Sequence, residues 1–291
     1  MMKSLVRAVA VALLFAAGSA GAQSSEEEFL AGLDYRDGVV VLPAAQASLN
    51  VTEGFRFLDK ADARAVLEDY WGNPEDDTVL GLLVPVAEPL GSEHSWAVVL
   101  TYSDEGYVSD EDAAEIDYDE LLEDMQQQTL DSNEYLSEQG YPTSELVGWA
   151  QAPHYDAVNK RLHWAQHIQF EGNEGGTLNY DIRVLGREGF LSMNAVADID
   201  DLPRVNAAMD DVLQMATFNP GLTYADYQEG DRTAAYGLAA LVGGGLAAKA
   251  GLFAKLGLVL AKFWKLIAVG FVVFGAGVKK LFGKKETGTV S

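Results

Sequence analysis

The chain has 291 residues, no cysteine and a formal net charge of −24 at pH 7, which excludes a disulfide scaffold or a cysteine metal cluster. The charge is unevenly divided: residues 23–231 hold nine basic and 43 acidic side chains, residues 232–291 nine basic and one acidic. An acidic body on a basic tail is repelled by nucleic acid and anionic headgroups, and adaptation to a salty habitat is a simpler reading of the acidity than a charge-specific partner.

Residues 1–22 read as a secretory signal: Lys3 and Arg7, an apolar run over 8–17, then Ala20-Gly21-Ala22 as an A-x-A site, with cleavage expected before Gln23. Export from a bacterial cytoplasm follows. The body, residues 23–231, is long enough for one core. Residues 39–42, 45–51 and 55–57 read as short strands, and Asp59 as the cap of a helix carrying Ala63, Val66, Leu67 and Tyr70, closed by Gly72-Asn73. Residues 79–86 and 96–102 are apolar, β-branched and aromatic, as buried strands are.

Residues 104–120 are densely acidic. A calcium loop needs alternating oxygen ligands, a turn glycine and a closing glutamate. Gly106 precedes the dense acidic part, so the spacing fails and a solvated loop is expected. A helix is predicted from Asp117 to Gln139, with Leu121, Leu122 and Met125 inward and Gly140 as C-cap. Three strands follow at hairpin spacing: 161–170 with Leu162, Trp164, Ile168 and Phe170 on one face, 177–185 with Leu178, Tyr180, Ile182 and Val184, and 190–197 with Leu191, Met193, Ala195 and Ala197. Residues 145–152 precede them as a fourth strand. Asp200 is expected to cap a helix carrying Leu202, Val205, Met209, Val212, Leu213 and Ala216.

From residue 234 the chain becomes almost wholly apolar. The run 234–254 carries one charge, Lys249, and is long enough to span a bilayer. Ala235, Ala239, Gly243, Ala247 and Gly251 line one helix face with small groups, which lets a second helix approach. A second run, 266–278, spans only if extended back to Leu256, and then includes Lys262 and Lys265. Two topologies remain open: a hairpin of two spans, or one span with the other run in the interface. Residues 232–282 are thus read as membrane-anchoring helical segments and 283–291 as a short basic and polar tail.

Candidate catalytic residues lie on the polar faces of the 161–197 meander. His163 and His167, Asn179, Asp181 and Arg183, and Ser192 and Asn194 all alternate with apolar residues. If the three strands carry them on one surface, Ser192, a histidine and Asp181 supply the residue types of a nucleophilic triad, although Ser192 lies mid-strand without a nucleophile elbow. The two histidines are roughly 13 Å apart on a strand, too far to share one metal, and no metal or cofactor is expected. Trp149, His154, Tyr155, Asp156, Asn179, Arg183 and Tyr224 are the candidate binding residues, with Pro153-His154-Tyr155-Asp156 read as a turn. No P-loop or dinucleotide fingerprint is present.

Residues Trp149-Ala150-Gln151-Ala152-Pro153-His154-Tyr155-Asp156, then 178–187, then Tyr224-Ala225-Asp226-Tyr227 and Ala235-Tyr236-Gly237 resemble the domain-of-unknown-function family 2167. The resemblance implies an exported domain with a C-terminal membrane segment and brings no catalytic residues. The fold expected is α+β, a largely antiparallel sheet with packed helices, plus C-terminal membrane helices. The leading reading is a non-enzymatic envelope protein of the bacterial inner membrane, its exported domain a binding module. Its expected partners are inner-membrane lipid and another envelope protein, not nucleic acid. Two alternatives stay open: a periplasmic hydrolase or ligand-binding enzyme using the meander's polar face, and a membrane-remodelling protein acting through its lysine-bearing tail.

Overall fold

The computed structural model describes residues 26–73, 75–138, 142–172 and 175–243. The signal over 1–22, the cap at Gly140, the apolar stretch from 244 onward and the tail 283–291 lie outside the described residues. The chain divides into two units, Met1–Tyr35 and Arg36–Ser291. Within the first, residues 26–31 form a short helix.

The second unit holds the strands. In chain order they are β1 (Gly38–Leu42), β2 (Ala47–Val51), β3 (Phe55–Asp59), β4 (Val79–Pro85), β5 (Ala97–Ser103), β6 (Tyr107–Ser109), β7 (Ser144–Asp156), β8 (Arg161–Phe170), β9 (Thr177–Leu185), β10 (Phe190–Asp198), β11 (Ala216–Phe218) and β12 (Thr233–Gly237). Helix α1 runs Lys60–Arg64 and widens into a π turn over Ala65–Tyr70, α2 is Tyr118–Glu138, α3 Leu202–Met215 and α4 Leu238–Gly243. The main sheet has seven strands in the order β3-β4-β5-β10-β9-β8-β7, all antiparallel. A three-stranded sheet, β1-β2-β11, and a parallel pair, β12-β6, complete it. The class is α+β with mostly antiparallel sheet.

Both faces of the main sheet are covered, which is why β4 and the first half of β5 are continuous apolar runs. One face packs against the small sheet and α3, in a core that includes Leu49, Phe57, Leu100, Tyr180, Ile182, Met193, Val205 and Met209. The opposite face carries a second core with Met125, Leu146, Leu162, Trp164, Ile168, Phe190, Tyr224 and Leu238. Over this second face α1 packs on β4 and α2 on β7.

Local chemistry sets the helix starts. Asp59 accepts hydrogen bonds from the Ala61 and Asp62 amides at 2.9 and 3.3 Å, and Gly72 at φ +68° follows the end of α1. Before α3, the capping carboxylate is Asp198, not Asp200: it accepts from the Asp200 amide at 2.9 Å and opens a 3-10 turn, Ile199–Asp201, that leads into the helix.

Three further expectations change. β7 runs through Pro153-His154-Tyr155-Asp156, and the turn falls on residues 157–160, where Asp156 accepts from the Val158 and Asn159 amides. The acidic stretch is not merely a solvated loop: it supplies β6, with Val108 buried, and β6 pairs with β12. Residues 233–243, read as the start of a membrane helix, form β12 and α4, and Leu238, Leu241 and Val242 are buried in the second core. The body therefore continues past Asp231 to at least Gly243. Among the described residues no helix is long and apolar enough to cross a membrane.

Candidate functional site

Between the loop that follows α1 and helix α2, the second face of the sheet is left partly uncovered. A cavity of about 400 Å³ opens there. Its floor comes from β5, β10, β9 and β8, through Thr101, Ser192, Asn194, Asn179, Asp181, Arg183, Gln166 and Trp164. Met125, Gln128 and Thr129 of α2 form one wall, Leu241, Val242 and Gly243 of α4 another, and Asp76 and Thr78 the rim.

Strand register brings the floor together. Ser192 lies opposite Arg183, and Asn194 opposite Asp181. Arg183 donates through Nη1 to Asp181 Oδ1 at 2.8 Å. Asn179 Nδ2 donates to Asp181 Oδ2 at 3.2 Å and to Gln166 Oε1 at 3.4 Å, and Asn194 Nδ2 donates to Asn179 Oδ1 at 2.7 Å. The Arg183 guanidinium lies 5.0 Å from the Trp164 ring centre and 5.8 Å from that of Phe190, so it is held by cation–π contacts as well as by its carboxylate. The side chains of Asp181 and Arg183 are only 10% and 16% exposed. Among the described residues Asn194 Oδ1 and Trp164 Nε1 are buried without a hydrogen-bond partner.

The histidines are elsewhere. Trp164, not His163, shares the sheet face of Asp181: the register pairs Trp164 with Asp181 and Gln166 with Asn179, while His163 pairs with Ile182 and His167 with Leu178. Neighbouring residues on a strand point to opposite faces, so both imidazoles lie on the first-core side, with the sheet between them and Ser192. A nucleophile and its base must be within hydrogen-bond reach, so these residues do not assemble a triad. The Tyr180 hydroxyl and His163 Nδ1 are hydrogen-bonded at 2.9 Å, and Gln151 Nε2 donates to that hydroxyl at 3.2 Å. Burial, with the His154 ring 5.4 Å away, lowers the His163 pKa against the opposing pull of Asp210 and Asp156. Burial also pushes Tyr180 up to about 12. His154 itself is exposed, and His167 is packed so closely to Gly176 that a Cβ there would sit 2.0 Å from Nε2.

The aromatic candidates do not line the cavity. Trp149 donates to the Tyr118 carbonyl at 3.2 Å. Tyr155 donates to Asp110 Oδ2 at 2.7 Å, and Tyr224 to Asp110 Oδ1 and the Val108 carbonyl, both at 2.9 Å. Lys160 adds a third contact to Asp110 at 2.7 Å. Burial pushes the Asp110 pKa up, but the hydrogen bonds from Lys160, Tyr155 and Tyr224 outweigh it and hold the carboxyl below its ordinary value. Asp156 is occupied in its turn with Asn159, which lowers its pKa. No group of three or more metal-ligating side chains occurs among the described residues.

Asn179, Asp181, Arg183 and Ser192 were thus named from sequence and do converge. Gln166 and the walls were missed. Gln166 had a signal, as the one polar side chain in the apolar frame of β8. Leu241 and Val242 had none, because their composition reads as membrane.

Residues 34–272 match a family described as a protein of unknown function, DUF2167. No curated protein matches the chain. Among solved structures, cyanobacterial PsbP (CyanoP) from Synechocystis sp. PCC 6803 is similar at 10% identity, covering 64% of this chain and 92% of that one with a TM-score of 0.35. The Saccharomyces cerevisiae Ran-binding protein Mog1p is similar at 10% identity over 64% of this chain and 96% of its own, with a TM-score of 0.30.

Proposed function

The chain belongs to the DUF2167 family, and from that premise we propose a membrane-tethered envelope protein whose exported body binds a small ligand without transforming it. The observation that carries this reading is the convergence of Asn179, Asp181, Arg183, Ser192 and Asn194 on one cavity of about 400 Å³. A concave site with apolar walls and a few convergent polar groups is the usual form of a small-molecule pocket. Binding is favoured over hydrolysis because both histidines of the meander occupy the other face of the sheet, and because Asp181, the carboxylate on the floor, is already paired with Arg183. The tether rests on the apolar residues from 244 to 282 with their flanking lysines. The family match runs on to residue 272, so most of that stretch lies within the sequence the family shares. Export rests on the leader pattern of residues 1–22.

Native mass spectrometry of the full chain, extracted from its own membranes in mild surfactant, tests the binding. The wild type is expected to carry a small molecule that is lost in Ser192→Phe, whose ring would enter the cavity, with the melting temperature little changed. Equal small-molecule content in the two would overturn the reading. Carbonate washing tests the tether: the chain stays in the membrane pellet, and release into the supernatant would refute it.

A further inference from the structure

Resting on that reading, we infer that the ligand is a neutral polyhydroxylated molecule with an apolar face, of the saccharide class. The first argument is charge. Asp181 and Arg183 neutralise each other on the floor at 2.8 Å, both mostly buried. The other polar floor groups are amides and hydroxyls. A charged ligand would leave an unmatched charge in a largely desolvated site, which is costly. The one other carboxylate, Asp76, is at the rim and accepts from the Thr78 amide and hydroxyl at 2.9 and 2.6 Å. Its negative charge opposes an anion further.

The second argument is the mixture of unspent hydrogen-bonding groups. Among the described residues Asn194 Oδ1 is a buried acceptor without a partner, and Trp164 Nε1 a buried donor without one. Among those residues, too, Arg183 donates through Nη1 alone, to Asp181 and the Ile182 carbonyl, which leaves Nε and Nη2 to donate. Among the described residues the Ser192 hydroxyl makes no hydrogen bond, and it can donate or accept. Donors and acceptors therefore alternate within one floor. A hydroxyl is the ligand group that satisfies either kind of neighbour, whereas a carboxylate satisfies donors alone and an ammonium acceptors alone. The third argument is the apolar part of the lining: Met125, Leu146, Ile168, Phe190 and Leu241 offer apolar surface beside the polar Gln128 and Thr129, which suits the C–H face of a sugar ring or an apolar aglycone.

The test is saturation-transfer NMR on the full chain with phospholipid nanodiscs present and protein-free nanodiscs as baseline. Three soluble probes share an aromatic ring: phenyl β-D-glucoside, phenyl phosphate and phenethylammonium. The glucoside alone is expected to receive saturation from the protein. Ser192→Phe abolishes that signal, and Asn194→Leu, a smaller change that keeps the cavity open, weakens binding roughly tenfold; the melting temperature of each variant establishes that it is folded. If a charged probe binds and the glucoside does not, with the signal still lost in Ser192→Phe, the saccharide class is overturned and the cavity stands as a binding site. If none of the three gives a signal sensitive to either variant, the saccharide class falls and the binding role of the cavity loses its support as well.

Discussion

The His163 imidazole is hydrogen-bonded to the Tyr180 hydroxyl at 2.9 Å and lies edge-on to His154 across the β7–β8 pair. Burial and the second imidazole both resist its protonation, so its folded-state pKa lies below the ordinary histidine value of 6.5. The unfolded chain then binds a proton that the folded chain refuses. His163 therefore contributes stability that is complete above pH 6.5 and is lost as pH falls through the lower folded-state value. Denaturant melts between pH 7.5 and 5 are expected to show the wild type losing stability on acidification more steeply than His163→Gln, which keeps a polar group near Tyr180. Equal slopes would show that His163 is not the titrating group. The same residue shows where sequence reasoning about the site stopped. Alternation correctly separated His163 from Leu162 and Trp164, and Asp181 from Tyr180 and Ile182, strand by strand. It did not reveal that the apolar frame of β8 faces the second core while that of β9 faces the first. A sheet with one wet face ties alternation to inside and outside; here both faces are dry, so the pairing register alone decides which residues meet.

At the scale of elements, the acidic stretch is a clamp on the chain's return to the sheet. β6 pairs with β12. Asp110 gathers Tyr155, Lys160 and Tyr224, and Arg187, at the β9–β10 turn, makes two hydrogen bonds to Asp231 at 2.7 and 2.8 Å, just before β12. Asp112 then accepts from the Leu238 and Ala239 amides at 3.1 and 3.4 Å, at the start of α4. A Cβ at Gly237 would lie 2.4 Å from an Asp112 carboxylate oxygen, so a larger residue there would push the carboxylate aside from the amides it caps. Removing a capping carboxylate costs about 1 kcal/mol, so in Asp112→Ala the amides of 238–243 are expected to exchange roughly fivefold faster while those of β9 and β10 are unchanged. Unchanged exchange of 238–243 in Asp112→Ala would mean that α4 is held by packing alone. The clamp was invisible in the sequence because its carboxylates sit among many solvated ones and act across more than a hundred residues. By contrast, β4, β5, α2 and the β8–β10 meander were legible, since each is a long periodic run bounded by its own turn or cap.

For the whole molecule the question is where the folded body ends. Composition puts the boundary at Asp231, because residues 232–282 are almost wholly apolar or basic. The structure places Leu238, Leu241 and Val242 at 0%, 8% and 4% exposure, facing α2 and β6 rather than lipid. Burying three such side chains contributes on the order of 6 kcal/mol, at roughly 2 kcal/mol each. That is comparable with the entire stability of an ordinary domain, about 5–15 kcal/mol. A chain from Gln23 to Asp231 is therefore expected to unfold or to melt far below one that ends at Gly243. The chain ending at Gly243 should melt cooperatively and stay with the aqueous fraction in liposome flotation. The full mature chain should float, and at high salt as well, because insertion of apolar residues is not screened as attraction between its lysines and headgroups would be. Equal melting of the two truncated chains would show that β12 and α4 are dispensable to the body, and flotation of the chain ending at Gly243 would place the lipid contact within the body rather than after it.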